Sequence, residues 1–391
     1  MNICIFSDVS IGPHRGGMPD YTYWAARSLT ERGHSVLCIT TCAVPCAPDV
    51  AGALAVLQAG AADLSAQVTA LLQKHEIQLL WMHTLQPLDV AMCRSACDAV
   101  GAKLVCHLHV NPTYSLAGYT DCLAENWYDF CRGRRRMAFL YALLRYVPCY
   151  VKRIVSERRR YLSLYRRADA IILLSERFRD EFCRMSGLRR APKLRAVSNP
   201  LLVIPEACTP EKQREVLHVG RLPWQQKRVD RLLKAWRLVE PQFPDWHLTI
   251  VGDGGGRERY EELARLLGLQ RVRFEGKQNP ARYYERARVF CLTSSFEGFG
   301  LVLTEAQAAG CVPVVFESYA AVHDIIEDGV TGCLVKPFDI EAYAEALRSL
   351  MRDEPKRAAM AEAARKSVAR FSSAVIIRQV EALFEELTSQ R

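Results

Sequence analysis

The sequence predicts an α/β protein built from two Rossmann-like, doubly wound domains. Three observations carry this. Short apolar runs alternate with amphipathic helical segments along most of the chain, the pattern of parallel sheets covered on both faces. The alternation lapses once, between residues 198 and 214, where Ser198-Asn199-Pro200, Pro205, Pro210 and a charged Glu-Lys-Gln-Arg-Glu follow one another, and then restarts. The length, 391 residues, suits two domains at roughly 150 residues each.

In order along the chain, Asn2–Phe6 is a strand, and Tyr21–Arg32 has helical spacing with Trp24, Ala25 and Leu29 on one side. Gly33 ends that helix, and Ser35–Ile39 is the second strand. Leu79–Met82 is a strand, Leu88–Val100 a helix, Lys103–Leu108 a strand and Ala170–Leu174 another, followed by a helix from Glu176. Beyond the lapse, strands are expected at Glu215–Val219, His247–Val251, Val272–Phe274, Val289–Leu292 and Val312–Phe316. Helices are expected at Val229–Val239, Arg257–Leu267 and Leu301–Ala309. Ala374–Leu387 reads as an amphipathic helix. The domain boundaries are therefore set at 1–203 and 204–373, with the helix of 374–391 packing back on the first domain. In sheets of this kind ligands bind at the carboxyl ends of the strands.

Composition is ordinary for a globular protein, half hydrophobic and about a quarter charged. The start of the chain lacks the basic region and cleavage site of a secretory signal, and no run approaches the ~18 apolar residues of a membrane span. A cytoplasmic location follows as an expectation. The 15 cysteines include no CxxC; Cys42/Cys46 and Cys93/Cys97 have no histidines at ligand spacing, and most others sit in apolar runs. They read as reduced, buried thiols. Net charge is +9, but Arg132–Arg167 alone holds 12 Lys+Arg against one acid, Glu157, so the basicity belongs to one patch.

The most informative stretch is Ser294 to Gly310. A buried strand ends at Leu292, a loop with Gly298, Phe299 and Gly300 follows, and a helix begins near Leu301. Small residues admit a ligand close to the backbone, and the unpaired amides of a helix start favour a diphosphate. Glu297 and Glu305 would repel a phosphate, so their acceptor oxygens suit sugar and ribose hydroxyls instead. Gly220 and Arg221 end another strand with Lys227 six residues on, two cations suited to a diphosphate. Gly252 opens a third strand-end loop, Gly-Asp-Gly-Gly-Gly, which is neither GxGxxG nor a P-loop.

Val219-Gly220-Arg221-Leu222 with Lys227, the Val251-Gly252-Asp253-Gly254 loop, and Glu297-x7-Glu305-Ala306 followed by Ala309-Gly310-x-x-Pro313-Val314-Val315 together resemble the retaining glycosyltransferases of family 4. Val272-x-Phe274-x-Gly276 and Glu327-x-Gly329-x-x-Gly332-x-Leu334-Val335 also fit. The likeness is close over residues 215–350 and loose before them. It implies the GT-B fold, two Rossmann-like domains facing a central cleft, and a nucleotide diphosphate sugar as donor. It also implies roles: Arg221 and Lys227 on the diphosphate, Glu297 on the donor sugar, Glu305 on the ribose, and the amides near Gly300 and Leu301 on phosphate. Tyr319-Ala320-Ala321 stands where the family has a small Gly-Gly segment, which bears on the donor-sugar contacts.

In the first domain the resemblance sets Gly16 and Gly17 close to the donor phosphate and His109, at a strand end, against the donor sugar. His107 is expected to turn to the other face of that strand and to be structural, and His83 is a lesser candidate. The patch that includes Arg134, Arg135, Arg136, Lys152 and Arg153 interleaves cations with aromatic and aliphatic residues. That suits an anionic membrane surface on the inner face, or a helix with solvated arginines. Nucleic acid is not expected as a partner. The sequence lacks a DxD pair after a strand in the first half and a convincing nucleophile, so no metal or other cofactor is expected. The activity implied is retaining transfer of a sugar to a saccharide or polyprenyl-phosphate-linked acceptor in cell-surface polysaccharide or glycolipid synthesis. An epimerase or phosphorylase on the same architecture, and a non-catalytic nucleotide-sugar-binding subunit, are the rival readings.

Overall fold

The computed structural model describes the backbone of residues 1–13, 17–83, 87–116, 136–202 and 212–389, and side chains throughout these ranges except at 87–88 and 136–146. The described chain divides into two compact units: residues 1–116, 136–200 and 373–389, and residues 201–202 and 212–372.

The first unit holds a sheet of seven parallel strands: β1 (Asn2–Ser7), β2 (Ser35–Thr40), β3 (Ala53–Val56), β4 (Leu79–Met82), β5 (Lys103–Leu108), β6 (Ala170–Leu173) and β7 (Leu194–Ala196). Their order across the sheet is β3-β2-β1-β4-β5-β6-β7. The chain winds outward one way from β1, returns, and continues the other way from β4. The crevice at the carboxyl ends of β1 and β4 is thus a topological switch point. Every described residue of β4 and nearly all of β1 and β5 are buried, as a sheet covered on both faces demands. The C-terminal helix, Ser373–Ser389, packs Ile376, Ile377, Val380 and Phe384 into the same core as Ile3, Ile5 and Leu29. Its Glu381 carboxylate is held by Arg32 at 2.5 Å and His34 at 2.8 Å.

The second unit repeats the plan with six parallel strands: β8 (Glu215–Val219), β9 (His247–Val251), β10 (Val272–Gly276), β11 (Val289–Leu292), β12 (Val312–Phe316) and β13 (Cys333–Val335), in the order β10-β9-β8-β11-β12-β13. Its switch point lies between β8 and β11, which pair through Val216–Val289 and Leu217–Phe290. The helix Val229–Val239 buries eight of its residues, Trp236 among them, against the sheet.

Three strands escape the sequence reading: β3, β7 and β13. All are sheet edges of three or four residues: β3 is mostly exposed and half alanine, Arg195 interrupts β7, and β13 is three residues long, so none stands out as the buried run of a central strand. The helix after β6 starts at Phe178, two residues later than expected. The twelve described cysteines are free thiols, and burial raises the pKa of Cys4, Cys38, Cys93, Cys97, Cys106, Cys291 and Cys311.

Candidate active site

The second unit gathers its predicted residues at the β8/β11 switch point. After β8 the chain passes through Gly220 (φ +154°) and Arg221, then forms the short helix Trp224–Lys227. The amide of Gly220 donates to the carbonyl of Val251 at 3.0 Å, and that of Gly252 donates to Gly276 at 2.7 Å, so three strand-end loops stack on one another. Gly252 has φ +140°, and a Cβ there would lie 1.8 Å from the Gly220 carbonyl oxygen. Only glycine fits that position.

Lys227 runs its aliphatic arm over Gly220, where an added Cβ would meet Cε at 3.3 Å. Its Nζ donates to Glu297 Oε1 at 2.7 Å, and both side chains are about nine-tenths buried. Glu297 also accepts from the Ser294 hydroxyl at 2.6 Å and from Gln226 Nε2 at 3.4 Å. The amide of Ser295 donates to the Gln226 carbonyl at 2.8 Å, which ties the β11 loop to the Lys227 helix. A cation and a carboxylate are thus fixed side by side at the end of the sheet. Arg221 is exposed and makes no hydrogen bond or ion pair with a described residue.

The loop then turns at Gly298 and Phe299. Phe299 is buried edge-on against Phe371, ring centroids 5.4 Å apart, which anchors the loop to the end of the unit. Gly300 adopts φ +95° and caps the helix Leu301–Ala308. The amides of Leu301 and Val302 open the helix without an intrahelical acceptor, whereas that of Leu303 donates to the Gly300 carbonyl at 2.8 Å. Glu305 lies one turn in, half-buried, and accepts from the Tyr284 hydroxyl at 2.9 Å. Burial first, and then the Glu305 charge, push the Tyr284 phenol well above its usual range.

Sequence reasoning missed one residue here. The hydroxyl of Tyr319 is buried without a partner among the described residues, and it lies 2.7 Å from where a Cβ on Gly300 would stand. Its pKa is raised by burial and then by the Glu297 charge. The replacement of the family's small segment at 319–321 was visible in the sequence; the hydroxyl's proximity to the glycine loop was not.

In the first unit Gly17 opens the helix Gly17–Glu31, exposed, with nothing within 4 Å of an added Cβ. Gly16 lies outside the described residues. His109 follows β5, half-buried, and burial lowers its pKa to about 3. One expectation is corrected: His107 does not face away. Residues two apart on a strand share a face, and the His107 and His109 rings stack with centroids 4.0 Å apart. His83, after β4, meets both edge-on at 5.8 and 5.0 Å, and Tyr21 stands against all three.

Of the basic patch, Arg134 and Arg135 lie outside the described residues, and Arg136 begins the helix Arg136–Arg167. Lys152 and Arg153 are exposed on it, and Arg153 reaches the buried Glu157 at 3.1 Å. Val147, Val151, Ile154 and Val155 are also exposed, at the i, i+4, i+7, i+8 spacing of one helical face. No described helix is long and apolar enough to cross a membrane.

Two doubly wound units, the second with a buried lysine–glutamate pair and a glycine-capped helix at its switch point, define an α/β protein with a crevice of the kind in which such sheets bind ligands. Comparison with known sequences is more particular. Residues 205–367 match the family described as glycosyl transferases group 1, and residues 16–200 match the glycosyl transferase 4-like domain. The chain belongs to this family of glycosyltransferases. An exopolysaccharide phosphotransferase of Streptomyces coelicolor is 36% identical over 57% of this chain and 24% of its own length. A D-inositol 3-phosphate glycosyltransferase of Corynebacterium aurimucosum is 35% identical over 46% of this chain and 45% of its own. The chain thus spans less than half the length of these relatives. Among solved structures, Anabaena Alr3699/HepE in complex with UDP-glucose superposes with a TM-score of 0.75 at 18% identity, over 99% of this chain and all of that one. That likeness establishes a shared fold.

Proposed function

We propose that this protein transfers a sugar, with retention, from a nucleotide diphosphate donor to a saccharide or lipid-linked acceptor such as a polyprenyl-phosphate glycan, in cell-surface polysaccharide or glycolipid synthesis. The observation that carries the reading is the buried Lys227–Glu297 pair at the second switch point, 2.7 Å apart, beside the helix start at Leu301. Lys227, Arg221 and the first amides of that helix offer positive charge to a leaving diphosphate. Fixed donors aimed at developing charge do the work a divalent ion does elsewhere, so the transfer calls for no metal. Glu297, already oriented by Ser294 and Lys227, offers its carboxylate to hydroxyls of the donor sugar, and Glu305 offers its own to the ribose.

The bond from the anomeric carbon to the diphosphate oxygen breaks as the acceptor oxygen bonds on the same face. The acceptor proton passes to the departing phosphate oxygen. No protein nucleophile is required, which agrees with a front-face course. The exposed valine and isoleucine stripe beside Lys152 and Arg153 supports a lipid-borne acceptor presented at an anionic, inner membrane surface.

The reading is tested first by donor binding. UDP, GDP and ADP sugars are screened by thermal shift with EDTA present. Stabilisation by sugars of one base, abolished in Lys227→Ala, is the expected result. No stabilisation by any of them overturns the donor site. The anomeric configuration of the product, read by NMR, then tests retention, and release of free product without acceptor would favour an epimerase or phosphorylase.

A further inference from the structure

Three imidazoles converge at the carboxyl ends of β4 and β5, entirely within the first unit. His83 and His107 are fully buried and His109 is half-buried. One ligand atom from each can be chosen so that all three lie within 4.8 Å of one another. Four of their ring nitrogens, His83 Nε2, both nitrogens of His107 and His109 Nε2, are buried without a partner among the described residues. An unsatisfied buried polar atom costs about 1–3 kcal/mol, so such a cluster asks for an occupant.

The contacts around His83 allow a ligating tautomer. The Thr22 hydroxyl lies 2.9 Å from the Met18 carbonyl and 2.8 Å from His83 Nδ1. With the Thr22 proton given to Met18, His83 Nδ1–H donates to Thr22 and Nε2 keeps a bare lone pair. An outer hydrogen bond that sets the tautomer and leaves the other nitrogen free is the arrangement of a metal-ligating histidine. Burial lowers the pKa of all three, and neutral imidazole is the ligating form.

We propose that His83, His107 and His109 form a binding site for a borderline divalent transition-metal ion, zinc foremost, with three imidazole ligands and a fourth position left open. Imidazole nitrogens suit zinc, cobalt, nickel and copper, whereas magnesium and calcium take oxygen. Tetrahedral zinc holds its nitrogens about 3.3 Å and the ring centroids about 5 Å apart, so on loading the nitrogens converge while the stacked His107 and His109 rings, centroids 4.0 Å apart, tilt away from each other. The ion is no leaving-group metal.

The test is a cobalt titration of the EDTA-stripped full chain, followed by visible absorption and back-titrated with zinc. One Co²⁺ per chain with the strong visible bands of a tetrahedral site, displaced by Zn²⁺, is expected. His83→Gln and His107→Ala should lose the bands. Thr22→Val keeps every ligand and removes only the acceptor that sets the tautomer, and should weaken binding about 10- to 100-fold. Thermal melts check that each variant folds, and Thr22→Val serves should His107→Ala not. No bound cobalt or zinc overturns the proposal. So does binding that shows thiolate charge-transfer absorption and is unchanged in His83→Gln, which places the ion on cysteines. The readout is absorption, so its failure is distinct from failure of the EDTA-insensitive donor binding.

Discussion

Removing the Lys227 charge is the sharpest perturbation the second unit offers. Lys227 and Glu297 are both about nine-tenths buried, and Nζ lies 2.7 Å from Oε1. Lys227→Met keeps the aliphatic arm over Gly220 but strands the carboxylate. Breaking a buried pair from one side costs roughly 3–5 kcal/mol. Glu297 retains the Ser294 hydroxyl at 2.6 Å and a long bond from Gln226 at 3.4 Å, so the lower end, about 3 kcal/mol, applies. For a unit of this size each kcal/mol moves the melting midpoint by about 2–4 °C, so the second unit's transition should fall by roughly 6–12 °C. The double variant Lys227→Met/Glu297→Gln leaves no buried charge and should melt above the single, because removing both ions relieves the desolvation penalty. Loss of the charged hydrogen bond to a diphosphate should weaken donor binding about ten- to a hundredfold in both. Calorimetry with and without donor reads all three. A Lys227→Met midpoint within about 2 °C of the wild type, or a double variant that melts below it, would refute the reasoning on this pair.

The other predictions are more local. Tyr319→Phe removes a buried hydroxyl without a described partner, so the free protein should gain about 1 kcal/mol while its KM for donor rises, provided the hydroxyl meets a donor oxygen; calorimetry and kinetics separate the two. Gly252→Ala should unfold the second unit, since its Cβ would stand 1.8 Å from a carbonyl oxygen at φ +140°, whereas Gly17→Ala meets nothing and should change stability by less than about 0.5 kcal/mol. A Gly17→Ala that still loses donor affinity would show close ligand approach there. His109 has a folded pKa of about 3, below its unfolded value, so below pH 6.5 the unfolded chain binds more protons and stability is lost as pH falls towards 3. That is about 2 kcal/mol by pH 5 for this residue, with His83 and His107 adding in the same direction; melts across pH 5–8 of wild type and His107→Phe check it. Val151→Asp with Ile154→Asp, both exposed, should leave the melt unchanged and reduce flotation with phosphatidylglycerol vesicles, as should Arg134, Arg135 and Arg136 changed to Glu; unchanged flotation sinks the membrane surface.

The central strands were legible because burial on both faces writes itself as short, mostly apolar runs. That held for β1, β4, β5, β8, β11 and β12, although His107 interrupts β5 and His218 interrupts β8. At the edges the requirement relaxes, and the short, partly exposed Ala53–Val56 and Cys333–Val335 are held as strands by backbone pairing with β2 and β12. The lysine and glutamate that now lie 2.7 Å apart were both singled out, but as separate contacts to a ligand. Their 70-residue separation hides the pairing, which depends on β8 and β11 being sheet neighbours, a fact of topology and not of either motif.

The histidines teach the opposite lesson, because the signal was present and was misread. His107 and His109 are two apart at the end of a strand, so strand geometry alone puts their rings on one face. His83 ends β4, which pairs with β5 through Met82 and Cys106, so the same geometry brings it beside them. What strand parity does not reveal is Thr22. Its hydroxyl, on a helix sixty-one residues away from His83, lies within hydrogen-bond distance of both the Met18 carbonyl and His83 Nδ1, and where its proton goes decides which histidine nitrogen is left bare. Residue type and strand parity can locate a cluster of this kind. Its protonation, and therefore what it can bind, is set by a hydrogen bond whose partner no local pattern names.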